Sequence, residues 1–321
     1  MEGIKMEKFW KYFKRIVIGI VVTALVLLSS MFIFGKIGKA SDRKKIEDYG
    51  EKVEVFGNNI NMYITGEGEG KETIVLLPGY GTIAPKISFD PVIEKMKDDY
   101  RIVLVEPFGY GLSDQTDRER TTANMVEEIH MALQAKGIDD FIFMGHSIAG
   151  IYMLSYINTY PGEAKAFIGI DTSVPTQPMF SMDTKMLRMA DKLGFLQLSM
   201  TPPFGKAPVP AFVPEKDVDQ YVYFTRNTSL NDTLLNELEN LPQIFDDAKG
   251  YSLPKDMPVY LFVQEFNDAI PTWQALHEEQ ANSVDTSKMM LIDGDHFLHF
   301  EHSELIVKET KAFLNEFVVK N

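Results

Sequence analysis

"FIFMGHSIAGIYMLSY", residues 141–156, sets the first constraint on the fold. An apolar run ends in Gly145-His146-Ser147, and a run with helical character starts at once. A strand that passes straight into a helix concentrates the change of direction on one residue. Strand and helix come closest two residues to either side of that turn, so both places must be small. Gly145 and Ala149 meet that need. The pattern predicts a strained backbone at Ser147, with its hydroxyl held over the end of the strand and the N–H of Ile148 aimed into the same space. The plainer alternative is a serine that ends a strand and caps the next helix.

Working outward, strands and helices alternate. "ETIVLLPGYG", "YRIVLVEPFGYGLSD", "AKAFIGIDTSVP" and "DMPVYLFVQEF" are near-continuous apolar runs, the pattern of strands buried on both faces. "TTANMVEEIHMALQAKG", "TWQALHEEQANS" and "SELIVKETKAFLNEF" have helical periodicity, and "SKMMLIDGDHF" is one more strand. This order predicts an α/β fold, a mostly parallel sheet with helices on both faces. "KVEVFG" and "NINMYITGEGEG" predict a hairpin with a glycine-rich turn and an antiparallel first edge.

Residues 175–254 interrupt the alternation with Pro175, Pro178, Pro202, Pro203, Pro208, Pro210 and Pro214, and with helical stretches near 182–199 and 230–247. They are expected to form a helical cap inserted into a core of residues 51–174 and 255–321. Its Met179, Met182, Met186 and Phe212 either pack the cap on the core or line an apolar, adaptable substrate pocket.

"IVIGIVVTALVLLSSMFIFG", residues 16–35, carries no charge. At about 1.5 Å per residue it reaches roughly 30 Å, the thickness of a hydrocarbon core. Trp10 and Tyr12 stand at its start, where interfacial aromatics belong. A transmembrane anchor is expected, preceded by a basic cytoplasmic tail at 1–15 and followed by a polar linker at 36–50. The body of the chain would then be extracytoplasmic, although both flanks are basic. A signal peptide cut after Ala40 is the alternative, with an apolar region longer than signals use.

Residues 1–45 carry ten Lys/Arg against Glu2, Glu7 and Asp42, a net +7, while the whole chain is −14, which leaves −21 on residues 46–321. So acidic a body argues against nucleic acid as a partner. The absence of cysteine excludes disulfides, thiolate metal sites and a cysteine nucleophile. The six histidines form no HExxH pair, and no metal site is expected.

Four segments, in order, resemble the α/β-hydrolase family over roughly residues 51–319. "GHSIAG" resembles its nucleophile elbow, with Ala149 where glycine is usual. "LLPGYGT" (76–82) stands where the oxyanion loop commonly reads His-Gly-x-x-Gly, with Pro78 for the histidine. "EPFGYGLSD" (106–114) is similar to the Asp-x-x-Gly-x-Gly-x-Ser turn, with Glu106 for the aspartate. "GDHFLHFEHSE" (294–304) resembles the histidine loop.

The resemblance implies a serine hydrolase with Ser147 as nucleophile, His296 as general base, and an oxyanion hole from the backbone N–H groups of Tyr80 and Ile148. No cofactor is implied. A serine at the elbow argues against the haloalkane- and epoxide-cleaving relatives, which use aspartate there. His146 is expected to be structural, and His299 and His302 to be packing or surface residues. The acid is where the chain departs from the family. Its usual place holds Asn267, leaving Asp171, at the end of the preceding strand, or Asp268, one residue late, with Glu265 more remote. The apolar cap favours a small ester or lipid-like acyl substrate. A C–C hydrolase or aminopeptidase of the same fold is the alternative, and a non-catalytic receptor or scaffold is the alternative from another class.

Overall fold

The computed structural model describes residues 2–66, 68, 71–179 and 181–319, so the glycine-rich turn read at 66–70 lies largely outside the described residues. Eight strands form one sheet: β1 (Glu51–Val55), β2 (Asn58–Thr65), β3 (Thr73–Leu77), β4 (Arg101–Glu106), β5 (Phe141–His146), β6 (Ala164–Ile170), β7 (Val259–Gln264) and β8 (Ser287–Ile292). Their order is β1-β2-β4-β3-β5-β6-β7-β8. Both pairings of β2, with β1 and with β4, are antiparallel, and the other pairings are parallel. The hairpin therefore supplies the antiparallel edge, as its alternation predicts.

The apolar runs are continuous because each central strand feeds two cores. Val75, Val103, Phe143 and Leu261 face one layer with Ile129, Met153 and Trp273, while Ile74, Leu104, Ile142 and Phe262 face the other with Phe89, Ile306 and Phe313. The helices, numbered along the chain, are α1 (Glu2–Arg43), α2 (Pro85–Met96), α3 (Thr122–Gln134), α4 (Ala149–Thr159), α5 (Lys185–Lys192), α6 (Phe195–Ser199), α7 (Val218–Thr228), α8 (Asp232–Ala248), α9 (Trp273–Asn282), α10 (Leu298–Glu301) and α11 (Ser303–Phe317). Helix α2 has no counterpart in the sequence reading: it starts on Pro85 and carries Pro91 inside it, which hides its apolar face of Phe89, Val92 and Ile93.

Between β6 and β7 the chain runs through α5–α8. Helix α8 is pinned to the body by Glu237, whose fully buried carboxylate accepts from the Tyr110 hydroxyl (2.8 and 2.9 Å) and the Tyr152 hydroxyl (2.7 Å).

Segment 36–50, read from its composition as a polar linker, is not one. Helix α1 continues to Arg43, and one face of it packs on the cap. Gly35 lies against Gly194: a Cβ added at Gly35 would sit 2.6 Å from the Gly194 Cα. A turn later, Lys39 pairs with Asp191 at 2.7 Å. Asp42 then accepts from Arg226 (2.7 Å) and from Gln197 (2.9 Å). Two of the charges that suggest a solvated linker, Lys39 and Asp42, are partners of the cap.

Glu106 closes the turn after β4. It is fully buried and accepts from the Leu112 N–H (2.7 Å), the Asn61 amide (3.1 Å) and the Tyr49 hydroxyl (2.5 Å). Gly111, at φ 49°, has no room for a side chain, since a Cβ there would lie 2.2 Å from Glu106 Oε2. Burial outweighs these donors and pushes the Glu106 carboxyl up to about 7. A folded-state value above the unfolded one means that the native state holds its proton longer, so stability must fall as pH rises from about 4.5 to about 7. Glu106→Gln should remove about 3 kcal/mol of that decline. Thermal melts of the two proteins from pH 5 to 8 check it; parallel curves would show that Glu106 does not titrate there.

Candidate active site

The turn at residue 147 carries the strain that its sequence predicts. Ser147 has φ 58°, a left-handed conformation that a side chain disfavours. It is held there from both sides. Its N–H donates to the Ile170 carbonyl (3.3 Å), and its carbonyl accepts from Gly150 (3.0 Å) and Ser173 (2.8 Å). The need for small neighbours is equally direct: a Cβ at Gly145 would meet the Ala149 Cβ at 2.8 Å and the Met153 sulfur at 2.3 Å.

The loop after β3 crosses above the serine. A Cβ at Gly79 would lie 2.9 Å from the Ser147 Cβ, so glycine is what lets this loop pass. Tyr80 follows it, and its hydroxyl donates to the Leu234 carbonyl of α8 (3.0 Å). Neither the Tyr80 nor the Ile148 backbone N–H has an acceptor among the described residues.

His296, in the loop between β8 and α10, is half-buried. Its Nδ1 donates to Asp171 Oδ2 at 2.6 Å, and its backbone carbonyl accepts from His146 Nε2 at 2.8 Å. Asp171 is fully buried, and its backbone is also left-handed, at φ 45°. The other carboxylate oxygen accepts from the Gln264 N–H (2.9 Å) and from Trp273 Nε1 (2.7 Å). Burial by itself would raise the Asp171 pKa, but these hydrogen bonds and the His296 ring hold the carboxyl below its usual value.

Two further imidazoles flank His296. His299 is buried, stacked on Phe89 at 4.8 Å between centroids and bonded to the Ser88 hydroxyl at 2.9 Å. Burial, aided by His296, pushes it down to about 3. Burial likewise, with the two neighbouring rings, holds His146 well below the usual histidine range. Both stay uncharged near neutral pH and compete with nothing for the Asp171 charge.

Ser147 and His296 line one cavity of about 90 Å³, walled by Tyr80, Ile83, Phe212, Tyr221 and Phe297. Of the four cap residues expected near a pocket, Phe212 lies here, stacked on Phe300 at 3.8 Å. Met179 packs instead in a cluster with Ile148 and Tyr80. Met182 and Met186 do not line the cavity. Both are exposed: Met182 lies just before α5, and α5, which carries Met186, buries none of its residues. The alternative acid, Asp268, is exposed on the loop after β7, while neighbouring Asn267 accepts from the Ile270 N–H at 2.9 Å.

Sequence reasoning missed Gln264, Trp273 and His277. The last two are one turn apart on α9 and reach the same loop: Trp273 bonds Asp171, and His277 Nε2 lies 2.8 Å from the Thr172 carbonyl. Two polar-tipped aromatics at i and i+4 in "TWQALHEEQ" were the available signal.

A family model described as "alpha/beta hydrolase fold" matches residues 72–303. The chain belongs to that family. It is 23% identical to the uncharacterized protein YbdG of Bacillus subtilis over 97% of this chain and 99% of that one. It is 25% identical to the pimeloyl-[acyl-carrier protein] methyl ester esterase of Legionella pneumophila, over 42% of this chain and 50% of the esterase. Among solved structures, a bacterial membrane phospholipase A superposes with TM-score 0.58 at 18% identity, covering 95% of this chain and 99% of that one. At that identity the likeness is one of fold.

Trp273 is nearly fully buried, and its N–H is spent on a carboxylate. Trp273→Phe keeps most of the packing and removes the donor. A hydrogen bond to a charged group contributes about 1.5–3 kcal/mol, so an unfolding free energy lower by about that amount is expected. Urea titration in detergent measures it, and a loss under about 0.5 kcal/mol would mean that the bond contributes little.

Proposed function

We propose that the protein is a membrane-anchored serine hydrolase that cleaves an ester or lipid-like acyl substrate through Ser147, His296 and Asp171. The observation that carries this reading is that His296, which lines one cavity with the strained Ser147, is bonded at 2.6 Å to the buried Asp171 behind it.

Ser147 Oγ attacks the acyl carbon as His296 Nε2 takes its proton. The carbonyl oxygen gathers negative charge and is met by the N–H groups of Tyr80 and Ile148. Collapse of this intermediate breaks the bond to the leaving group, which receives the proton from His296. Water then repeats the sequence on the acyl-serine and releases the acid. Asp171 keeps the proton of neutral His296 on Nδ1, leaves Nε2 free as the base, and stabilises the imidazolium that forms twice per cycle.

The apolar walls support an acyl substrate. A cavity of about 90 Å³ has room for the reacting carbonyl and a short acyl stem. The N-terminal helix supports the anchor: an 18-residue window has mean hydropathy 2.8 and none of it is buried. In this reading residues 1–15 are cytoplasmic and the body lies outside.

With a short-chain p-nitrophenyl ester, Ser147→Ala and His296→Ala should each lower turnover by at least about a thousandfold, as members of one unit. Asp171→Asn should lose about two to four orders of magnitude, and Asp268→Asn much less. Near-normal turnover in the serine variant would sink the mechanism. Alkaline carbonate should leave full-length protein in the membrane pellet, and release would refute the anchor.

A further inference from the structure

Five large apolar side chains stand out on the cap. Met182, Met186, Met189, Phe195 and Phe204 are 49–70% exposed and fall within 23 residues of chain, whereas the other exposed apolar residues outside α1 are scattered. Met186, Met189, Ala190 and Leu193 make an i, i+3, i+4, i+7 stripe along α5 and its C-cap; its two methionines are exposed among the described residues, and Ala190 and Leu193 are half-buried. A soluble surface does not carry such a stripe without a partner.

The contact with α1 fixes what that partner is. Gly194, which joins α5 to α6, touches the backbone of α1 at Met31 and Gly35. Gly35 is the last residue of the uncharged run, and Met31 lies four residues, about 6 Å, inside it. If residues 16–35 cross the hydrocarbon layer, Gly194 and its neighbour Phe195 are carried to its boundary. Amphipathic helices at that boundary bury their apolar face by about 5–10 Å.

Charge points the same way. The body is strongly acidic, yet residues 183–206 hold Lys185, Arg188, Lys192 and Lys206 against Asp183 and Asp191. Arg188 is paired with Asp232 and Glu239, and Lys192 lies 3.6 Å from Asp232, which leaves Lys206 without an acidic partner among the described residues. Between α1 and α5 lies a cleft of about 360 Å³, lined by Phe32, Lys36, Lys39 and Lys192 together with Asp191 and Asp232. It sits at the level where headgroups would lie. Lys39 is committed to Asp191 at 2.7 Å, while Lys36 has no such acidic partner among the described residues.

We infer that the outer face of the cap, α5 and α6 with Phe204, is a lipid-contact surface seated in the interfacial layer of an anionic bilayer. The inference rests on the reading of residues 16–35 as a membrane span. It makes the cap, and not the anchor alone, a membrane-bound element, and it turns Met182 and Met186 toward lipid.

The chain has no cysteine, so single substitutions can each carry one polarity-sensitive fluorophore. Full-length M186C, F195C and F204C, labelled and reconstituted in vesicles of phosphatidylcholine and phosphatidylglycerol, are compared with D140C, at the opposite end of the sheet. Shallow spin-labelled lipids should quench the three cap probes at least about twofold more than the control, with blue-shifted emission. Equal quenching at all four sites, in protein that resists carbonate, would overturn the lipid-contact surface and leave the anchor standing. Release by carbonate would overturn both.

Discussion

A buried carboxylate must be surrounded by donors, and the need of Asp171 organises this end of the sheet. The end of β7, the first turn of α9 and the loop after β8 each send it one N–H. Gln264 and Trp273 are nine residues apart, and β7 shares a core layer with Trp273, whereas His296 comes from a loop further along the chain. What aligns them is one negative charge that cannot be left unpaired in a dry interior. His296 thus reaches the space beside Ser147 as one spoke of a hub whose other spokes, Gln264 and Trp273, are structural. The left-handed backbone at Asp171, like that at Ser147, is strain that the bonds around it offset.

The chemistry of the cavity depends as much on what is uncharged. His146 and His299 fill the space behind His296 with rings of nearly its own shape, and both are too buried to take a proton near neutrality. An apolar side chain could fill that volume. It could not also bond the His296 carbonyl, as His146 does, or the Ser88 hydroxyl of α2, as His299 does. The two imidazoles lock the histidine loop to the body and add no field that would discourage a positive charge on its neighbour.

Much of this was legible because local rules and the fold agree. The elbow follows from two small residues and a serine between a strand and a helix, and the apolar runs of β3–β7 announce strands covered on both sides. For the acid the sequence favours Asp171 over Asp268 without excluding the latter, because spacing along β7 does not reveal which carboxylate the loops turn inward. Trp273 escaped notice because a buried indole looks like packing until its acceptor is known. The methionines of α5 were misjudged for a related reason. Apolar residues in a cap point either to a pocket or to whatever lies beyond the cap, and periodicity is the same for both. Segment 36–50 differs from its composition because Lys39 and Asp42 find partners on the cap across space, while composition counts them as solvated.

The Gly35–Gly194 contact has a bearing on how this protein can be handled in pieces. A form trimmed after Ala40 keeps every strand and both hydrophobic layers, yet it loses Gly35, Gly38 and Lys39. Asp191 is then stripped of its cation, and Gly194 and Gln197 face solvent where a helix had lain. The sheet would be untouched, but α5 would keep only its ion pairs to α8, and α6 the bond from Gln197 to Asp42. In architectural terms the N-terminal helix is a wall shared by two rooms, and removing it to free one leaves the other open on that side.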